Sequence, residues 1–213
     1  MTGYKGKRVL DVLLLALASP VWVPATGLLA LLVRARLGAP VFFRQQRAGR
    51  DGRLFELVKF RSMTNARDRG GNLLPDADRL TPFGRMLRST SLDELPELWN
   101  VLRGDMSLVG PRPLLPQYLQ RYSPHHSRRH DVAPGMTGLA QVSGRNALTW
   151  PARFDLDLEY IRRCSPALDL RILWRTAMAV LRREGISADG LATMTEFTGY
   201  DSPAQASMPP ERR

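Results

Sequence analysis

The sequence predicts an α+β fold that is mostly helical. It comprises a re-entrant N-terminal membrane helix, a small β-hairpin, and interfacial amphipathic helices around a compact catalytic domain. Three observations predict it. An uncharged apolar run over residues 12–33 carries Ser19-Pro20 near its middle. Two short extended segments flank the turn-forming Gly49-Arg50-Asp51-Gly52. Apolar residues then recur at helical spacing over residues 93–102, 154–163 and 168–183.

The apolar run comes first along the chain. As a helix it would be about 33 Å long, enough to cross a bilayer core. No small-x-small cleavage site follows it before the next basic cluster, which argues against a signal peptide. Lys5, Lys7 and Arg8 precede it, and Arg34 and Arg36 follow it. Cationic flanks prefer the cytoplasmic side, so a span would leave one cluster on the wrong face. Pro20 and Pro24 each remove a backbone donor, and the Ser19 hydroxyl can bond a freed carbonyl. A helix that enters and leaves on one face is therefore expected, with a kinked transmembrane span as the alternative. A buried core helix is disfavoured because the run has no polar face.

Residues 39–46 and 54–61 read as the two arms of the hairpin. Residues 64–80 are polar, with Gly70-Gly71 and Pro75, and read as a mobile loop. A helix is expected around 82–87, and another over 93–102 ending at Gly104. A further helix is expected after Pro113. Residues 133–146 read as glycine-rich loop with short extended pieces. Helices over 154–163 and 168–183 follow, and 185–213 reads as a polar, flexible tail. In the last helix Leu170, Leu173, Trp174, Ala177 and Leu181 share one face, and Arg171, Arg175 and Arg182 share another. That suits a helix lying in a membrane interface, or an ordinary amphipathic helix packed on the core.

Composition sets the kind of partner. The 213 residues include 31 Lys+Arg against 20 Asp+Glu, a net charge of +11. Such a surface favours anionic partners: acidic lipid headgroups, phosphorylated substrates or nucleic acid. The single cysteine, Cys164, excludes an intrachain disulfide and reads as a partly buried thiol.

The chemistry gathers at Asp93-Glu94. Pro96 is tolerated only in a first helical turn, which places the N-cap at or near Asp93. Free N–H groups there could hold a phosphate. A carboxylate can be a nucleophile, and two adjacent acids can divide attack from proton or metal handling. Asp is equally a common N-cap, and Glu favours a first turn. Arg85, Arg88, Arg112 and Arg145 could clamp a diphosphate with their planar forks. A metal site at His125, His126 and His130 is a weaker reading, because the surrounding Ser-Pro and arginines suggest a solvated loop.

The segment Asp93-Glu94-Leu95-Pro96 through Gly104-Asp105-Met106-Ser107-Leu108-Val109-Gly110-Pro111-Arg112-Pro113 resembles the signature of bacterial sugar transferases, the monotopic polyprenol-phosphate phosphoglycosyl transferases. Lys59-Phe60-Arg61-Ser62-Met63, Pro134-Gly135-Met136-Thr137-Gly138 with Gln141, Gly144-Arg145, and the Ser19-Pro20 break match in the same order. The resemblance covers roughly residues 5–183.

What the resemblance implies follows residue by residue. Asp93 matches the nucleophile that attacks the β-phosphate of a UDP-sugar, releasing UMP and keeping the phosphosugar. A membrane polyprenol phosphate, undecaprenyl phosphate, then takes it. Glu94 matches the partner acid. Mg²⁺ is the implied metal, with Asp93 near it. Arg88, Arg112 and Arg145 match phosphate-site arginines, and Lys59, Arg85 and Gln141 are further substrate-site candidates. Ser19 and Pro20 match the break of the membrane helix. Glu97 stands where many members have Gln, away from the assigned roles.

The implied organisation is a membrane-anchoring helix over 1–36, a catalytic domain over 37–184 and the tail over 185–213. The implied location is the cytoplasmic face of the bacterial inner membrane, in contact with membrane lipids. A homodimer through the membrane helix or the C-terminal helices is compatible with this. The rival reading is a membrane-anchored basic protein that binds lipid or nucleic acid without catalysis. No nucleic-acid motif supports it, and the arginines cluster with acids rather than with aromatics.

Overall fold

The computed structural model describes residues 3–144, 148–182 and 196–200. The first element, α1, spans Lys7–Leu37 and is long and apolar enough to cross a bilayer. Ser19-Pro20 does not divide it into two helical elements. Pro20 has no N–H for the Ala16 carbonyl, and the Ser19 hydroxyl donates to that carbonyl at 2.7 Å. The Trp22 indole donates back across Pro20 to the Leu15 carbonyl at 3.0 Å.

Both ends of α1 are tied to the same domain. Near its start, Lys7 Nζ lies 2.6 Å from the buried Asp169 carboxylate, and Arg8 donates to the Val101 and Leu102 carbonyls. At its end, Arg61 donates to the Leu37 carbonyl. Leu15 packs in a core with Leu98, Val101, Met106 and Tyr160, while Leu29 and Val33 pack with Phe60 and Leu87. Leu95 touches both clusters. Between these contacts Leu17, Val21, Leu28 and Leu31 are exposed, Leu17 at 81%.

The hairpin forms as expected. β1, Phe42–Ala48, pairs antiparallel with β2, Leu54–Phe60, from Phe42 opposite Phe60 to Ala48 opposite Leu54. The connecting turn, Arg50–Gly52, contains Asp51 at φ 54°. The expected mobile loop at 64–80 is instead organised. Arg67 bridges to Leu73 and Met63 to Leu80, around the short helix α2, Asp76–Arg79. Antiparallel pairing satisfies backbone groups that composition alone marks as loop.

Helix α3, Pro82–Ser89, starts from a Thr81 side chain that accepts from Gly84 N–H, with proline in the first turn. A Cβ on Gly84 would lie 1.8 Å from the Ser62 carbonyl, so only glycine lets α3 press against the end of β2.

The helix expected from Asp93 starts later. Leu92–Glu94 is a 3₁₀ turn entered through Ser91 at φ 56°, and α4 runs Glu97–Arg103 to Gly104 at φ 92°. The local N–H groups close turns: Glu94 bonds the Ser91 carbonyl, Leu95 that of Leu92, and Leu98 that of Leu95. Asp93 is therefore not the N-cap of an α-helix.

β3, Ser107–Val109, follows, and then the helix expected after Pro113, which is a 3₁₀ helix over Pro116–Gln120. A short helix α5, Pro124–Ser127, leads to the turn Arg128–Asp131. β4, Gly135–Thr137, pairs parallel with β3. A Cβ on Gly135 would meet the Gly110 nitrogen at 2.0 Å, which explains the glycines on both segments. α6, Leu139–Val142, follows, then α7, Trp150–Arg163, capped by the Thr149 hydroxyl, and α8, Pro166–Arg182.

In α8, Ile172 is buried and Leu168 and Leu173 pack on the core, while Leu170, Trp174 and Leu181 point outward. Most of its anticipated apolar face is thus not used by the protein's own core. The tail reading is corrected at 196–200, where Phe197 is fully buried among aromatic rings. The rest of the tail lies outside the described residues.

Candidate active site

The carboxylates of Asp93, Glu94 and Glu97 gather where β2, the 3₁₀ turn and α4 meet. Asn100 makes that meeting possible. Fully buried on α4, it donates to the Glu56 carbonyl at 2.7 Å and accepts from the Val58 N–H at 3.1 Å. These bonds fasten β2 to α4 and bring Lys59 onto the acids. Lys59 Nζ lies 2.6 Å from Glu94 Oε1 and 3.0 Å from Glu97 Oε1. Arg112, carried on the loop after β3, donates to Glu94 Oε1 at 2.5 Å. Arg88 on α3 donates to the Ser62 hydroxyl at 2.8 Å and acts electrostatically on Asp93.

The three acids are made different by these contacts. Burial acts against ionising Glu94, but Arg112 and Lys59 outweigh it and hold the carboxyl well below its usual range. Burial, with the Glu94 charge, pushes Asp93 up to about 6 against the pull of Lys59, Arg88 and Arg112. Burial pushes Glu97 up to about 7, opposed by Lys59 and raised further by Glu94. Asp93 is 9% exposed, and among the described residues its carboxylate makes no hydrogen bond. The site therefore holds one acid fixed as an anion and one untied acid among three cations.

The fold collects most of the expected residues, but not all. Asp93, Glu94, Lys59, Arg88 and Arg112 come together. Arg85 does not join them: it is exposed on α3 and bonds the Leu80 carbonyl at 3.0 Å. Gln141 lies on α6 beside Gly138 and the Gly110 backbone that leads into Arg112. Arg145 lies outside the described residues.

The three histidines do not come together, in keeping with the weight given to the metal reading. His130 Nδ1 lies 3.0 Å from the Gly49 carbonyl, and burial lowers its pKa to about 4. His126 contacts Asp155 and the Tyr200 hydroxyl with its two ring nitrogens, at 2.9 and 2.7 Å. The ligand atoms of His125, His126 and Asp155 lie within 4.8 Å of one another, but those of His126 are already engaged. Cys164 is half-buried against the core, as expected.

Asn100 escaped the sequence reading, and Glu97, set apart there from the assigned roles, is joined to them through Lys59. Glu97 is only 2% exposed and shares Lys59 with Glu94. The available signal was its position one helical turn after Glu94, on the same face.

Comparison with known proteins identifies a family. The family model described as bacterial sugar transferase matches residues 3–183. The uncharacterized sugar transferase EpsL of Bacillus subtilis is 54% identical over 167 residues, 78% of this chain and 83% of that protein. The undecaprenyl-phosphate galactose phosphotransferase of Salmonella typhimurium is 40% identical over 198 residues, 83% of this chain but 40% of the relative. The UDP-glucose:undecaprenyl-phosphate glucose-1-phosphate transferase of Caulobacter vibrioides is 41% identical over 186 residues, 82% of this chain and 69% of the relative.

Proposed function

The chain belongs to the bacterial sugar transferase family, and on that premise we propose that it transfers a phosphosugar from a UDP-sugar to undecaprenyl phosphate through a covalent bond to Asp93. The observation that carries the proposal is the contrast between the tied Glu94 and the untied, buried Asp93. An Asp93 oxygen attacks the β-phosphorus of the donor. The bond from that phosphorus to the bridging oxygen breaks, and UMP leaves with the electron pair. A phosphate oxygen of the polyprenol then attacks the same phosphorus, and Asp93 departs as a carboxylate.

The chain's own groups have distinct parts in this reading. Arg88, Arg112 and Arg145 hold donor phosphate oxygens, and their forks suit that geometry. Glu94 fixes Lys59 and Arg112 as a charged frame and so assists by positioning them. The untied Asp93 carboxylate also fits Mg²⁺, which favours one or two carboxylates together with substrate phosphates. When bound, the ion neutralises phosphate charge.

The proposed location is the cytoplasmic face of the inner membrane, with α1 re-entrant. Support comes from the docking of both ends of α1 on one domain, from its exposed apolar middle, and from cations at both flanks. The outward Leu170, Trp174 and Leu181 of α8 would lie in the same interface.

Intact-protein mass after incubation with Mg²⁺ and a panel of UDP-sugars, without acceptor, tests the reaction. A gain equal to one phosphosugar, absent in Asp93→Asn, is expected. UMP release at the wild-type rate by Asp93→Asn would refute the covalent step.

A further inference from the structure

Arg112 is held from behind as well as from the front. Its guanidinium faces Glu94, and its backbone carbonyl accepts from Arg129 Nη2 at 2.8 Å. Arg129 lies in the turn Arg128–Asp131 and is 3% exposed. It also donates to Asp157 Oδ2 from Nε at 3.0 Å and from Nη2 at 2.7 Å. Its guanidinium lies over the rings of Tyr122 and Phe154, 5.6 and 5.5 Å from their centroids. A buried cation needs such an anion and such faces.

Residues 196–200 close the aromatic cluster that includes those two rings. Phe197 stacks on Tyr122 at 5.9 Å and meets Phe154 edge-on at 5.1 Å. Its N–H donates to the Tyr118 hydroxyl at 3.0 Å, and its carbonyl accepts from Arg121. Glu196 pairs with Arg121 at 2.8 Å. Tyr200 completes the attachment, accepting from Ser123 N–H at 3.1 Å and contacting His126 at 2.7 Å. Five consecutive residues thus carry polar anchors at both ends and one fully buried ring between them.

We propose that residues 196–200 are a positioning strap for the donor-phosphate site: Phe197 seats Arg129, and Arg129 seats Arg112. This rests on the reading of Arg112 as a donor-phosphate ligand. The physical link is hydration. Without the Phe197 ring, water reaches the cluster beside Arg129, and a solvated guanidinium has less need of the Arg112 carbonyl. Arg112 sits between Pro111 and Pro113, so its stiff segment shifts as a unit and the guanidinium moves with it.

The test uses full-length protein in detergent with undecaprenyl phosphate, comparing wild type, Phe197→Ala, Phe197→Leu, Arg112→Lys and the Phe197→Ala/Arg112→Lys double variant. Phe197→Ala is expected to raise the donor KM roughly tenfold, as small displacements of a positioning group do. The acceptor KM should change by less than about twofold, and Phe197→Leu should recover most of the loss. In the Arg112→Lys background Phe197→Ala should add little, because both act through one group. Hydrogen exchange in the peptide carrying Arg112 should quicken in Phe197→Ala. Full additivity, an equal loss for both substrates, or unchanged exchange in that peptide would overturn the strap. Quickened exchange in a chain whose wild type releases no UMP would uphold the positioning and refute the reaction it was meant to serve.

Discussion

Lys59 Nζ stands 2.6 Å from Glu94 Oε1, and that contact separates the roles of two acids adjacent in sequence. With Arg112 on the same oxygen, Glu94 has its charge satisfied and its direction fixed. Asp93, one residue earlier in a 3₁₀ turn, has neither constraint. An untied carboxylate held among cations is what attack on a phosphorus centre needs.

The Asp93 carboxyl, raised to about 6, predicts an acid limb in the rate. Attack requires the ionised form, so the single-turnover rate should fall about tenfold per unit below pH 6 and level off above it. Stability carries the opposite sign. The folded state binds the Asp93 proton more tightly than the unfolded chain, so this group's contribution declines as pH rises from about 4 to 6. Asp93→Asn should therefore exceed wild type by on the order of 2 kcal/mol at pH 8 and match it near pH 4 in denaturant titrations.

Lys59 is the cation shared by Glu94 and Glu97. Lys59→Met should cost about 3 kcal/mol of stability, since it strands buried carboxylate charge. Adding Glu97→Gln should recover part of that loss, because the amide needs no counter-ion. Thermal midpoints of the two single variants and the double variant measure this, and strict additivity would contradict the shared-cation arrangement.

Lys7 and Asp169 form a buried pair at 2.6 Å, joined by the Tyr4 and Tyr160 hydroxyls at 2.9 and 2.8 Å. The pair pins the start of α1 to α8. Lys7→Met should destabilise by about 3 kcal/mol, and Lys7→Met with Asp169→Leu should regain most of it. Limited proteolysis ahead of residue 12 should quicken in the single variant and slow again in the double.

The docking of both α1 ends on one domain predicts one-sided accessibility. In a Cys164→Ser background, a cysteine placed before Lys5 and another at Ala39 should both react with an impermeant reagent only when the cytoplasmic side is opened. Reaction of either from the opposite side would establish a span.

The sequence by itself determined what local rules govern. Thr81 and Thr149 capped helices and Gly104 ended one, because these depend on groups a few residues apart. The same holds for the hairpin and for the hydroxyl bond that Ser19 makes beside Pro20. The acid pair and Arg112 were legible because adjacent acids and a proline-flanked arginine stand out in composition. Tertiary structure alone decided which groups share a counter-charge. It tied Glu94 and Glu97 to one lysine, set Arg88 against the Ser62 hydroxyl, and buried Phe197 out of a polar tail. None of these has a period or a neighbouring partner to read. Each depends on burial and on contacts between segments tens of residues apart, where desolvation and the nearest opposite charge set the chemistry of every acid.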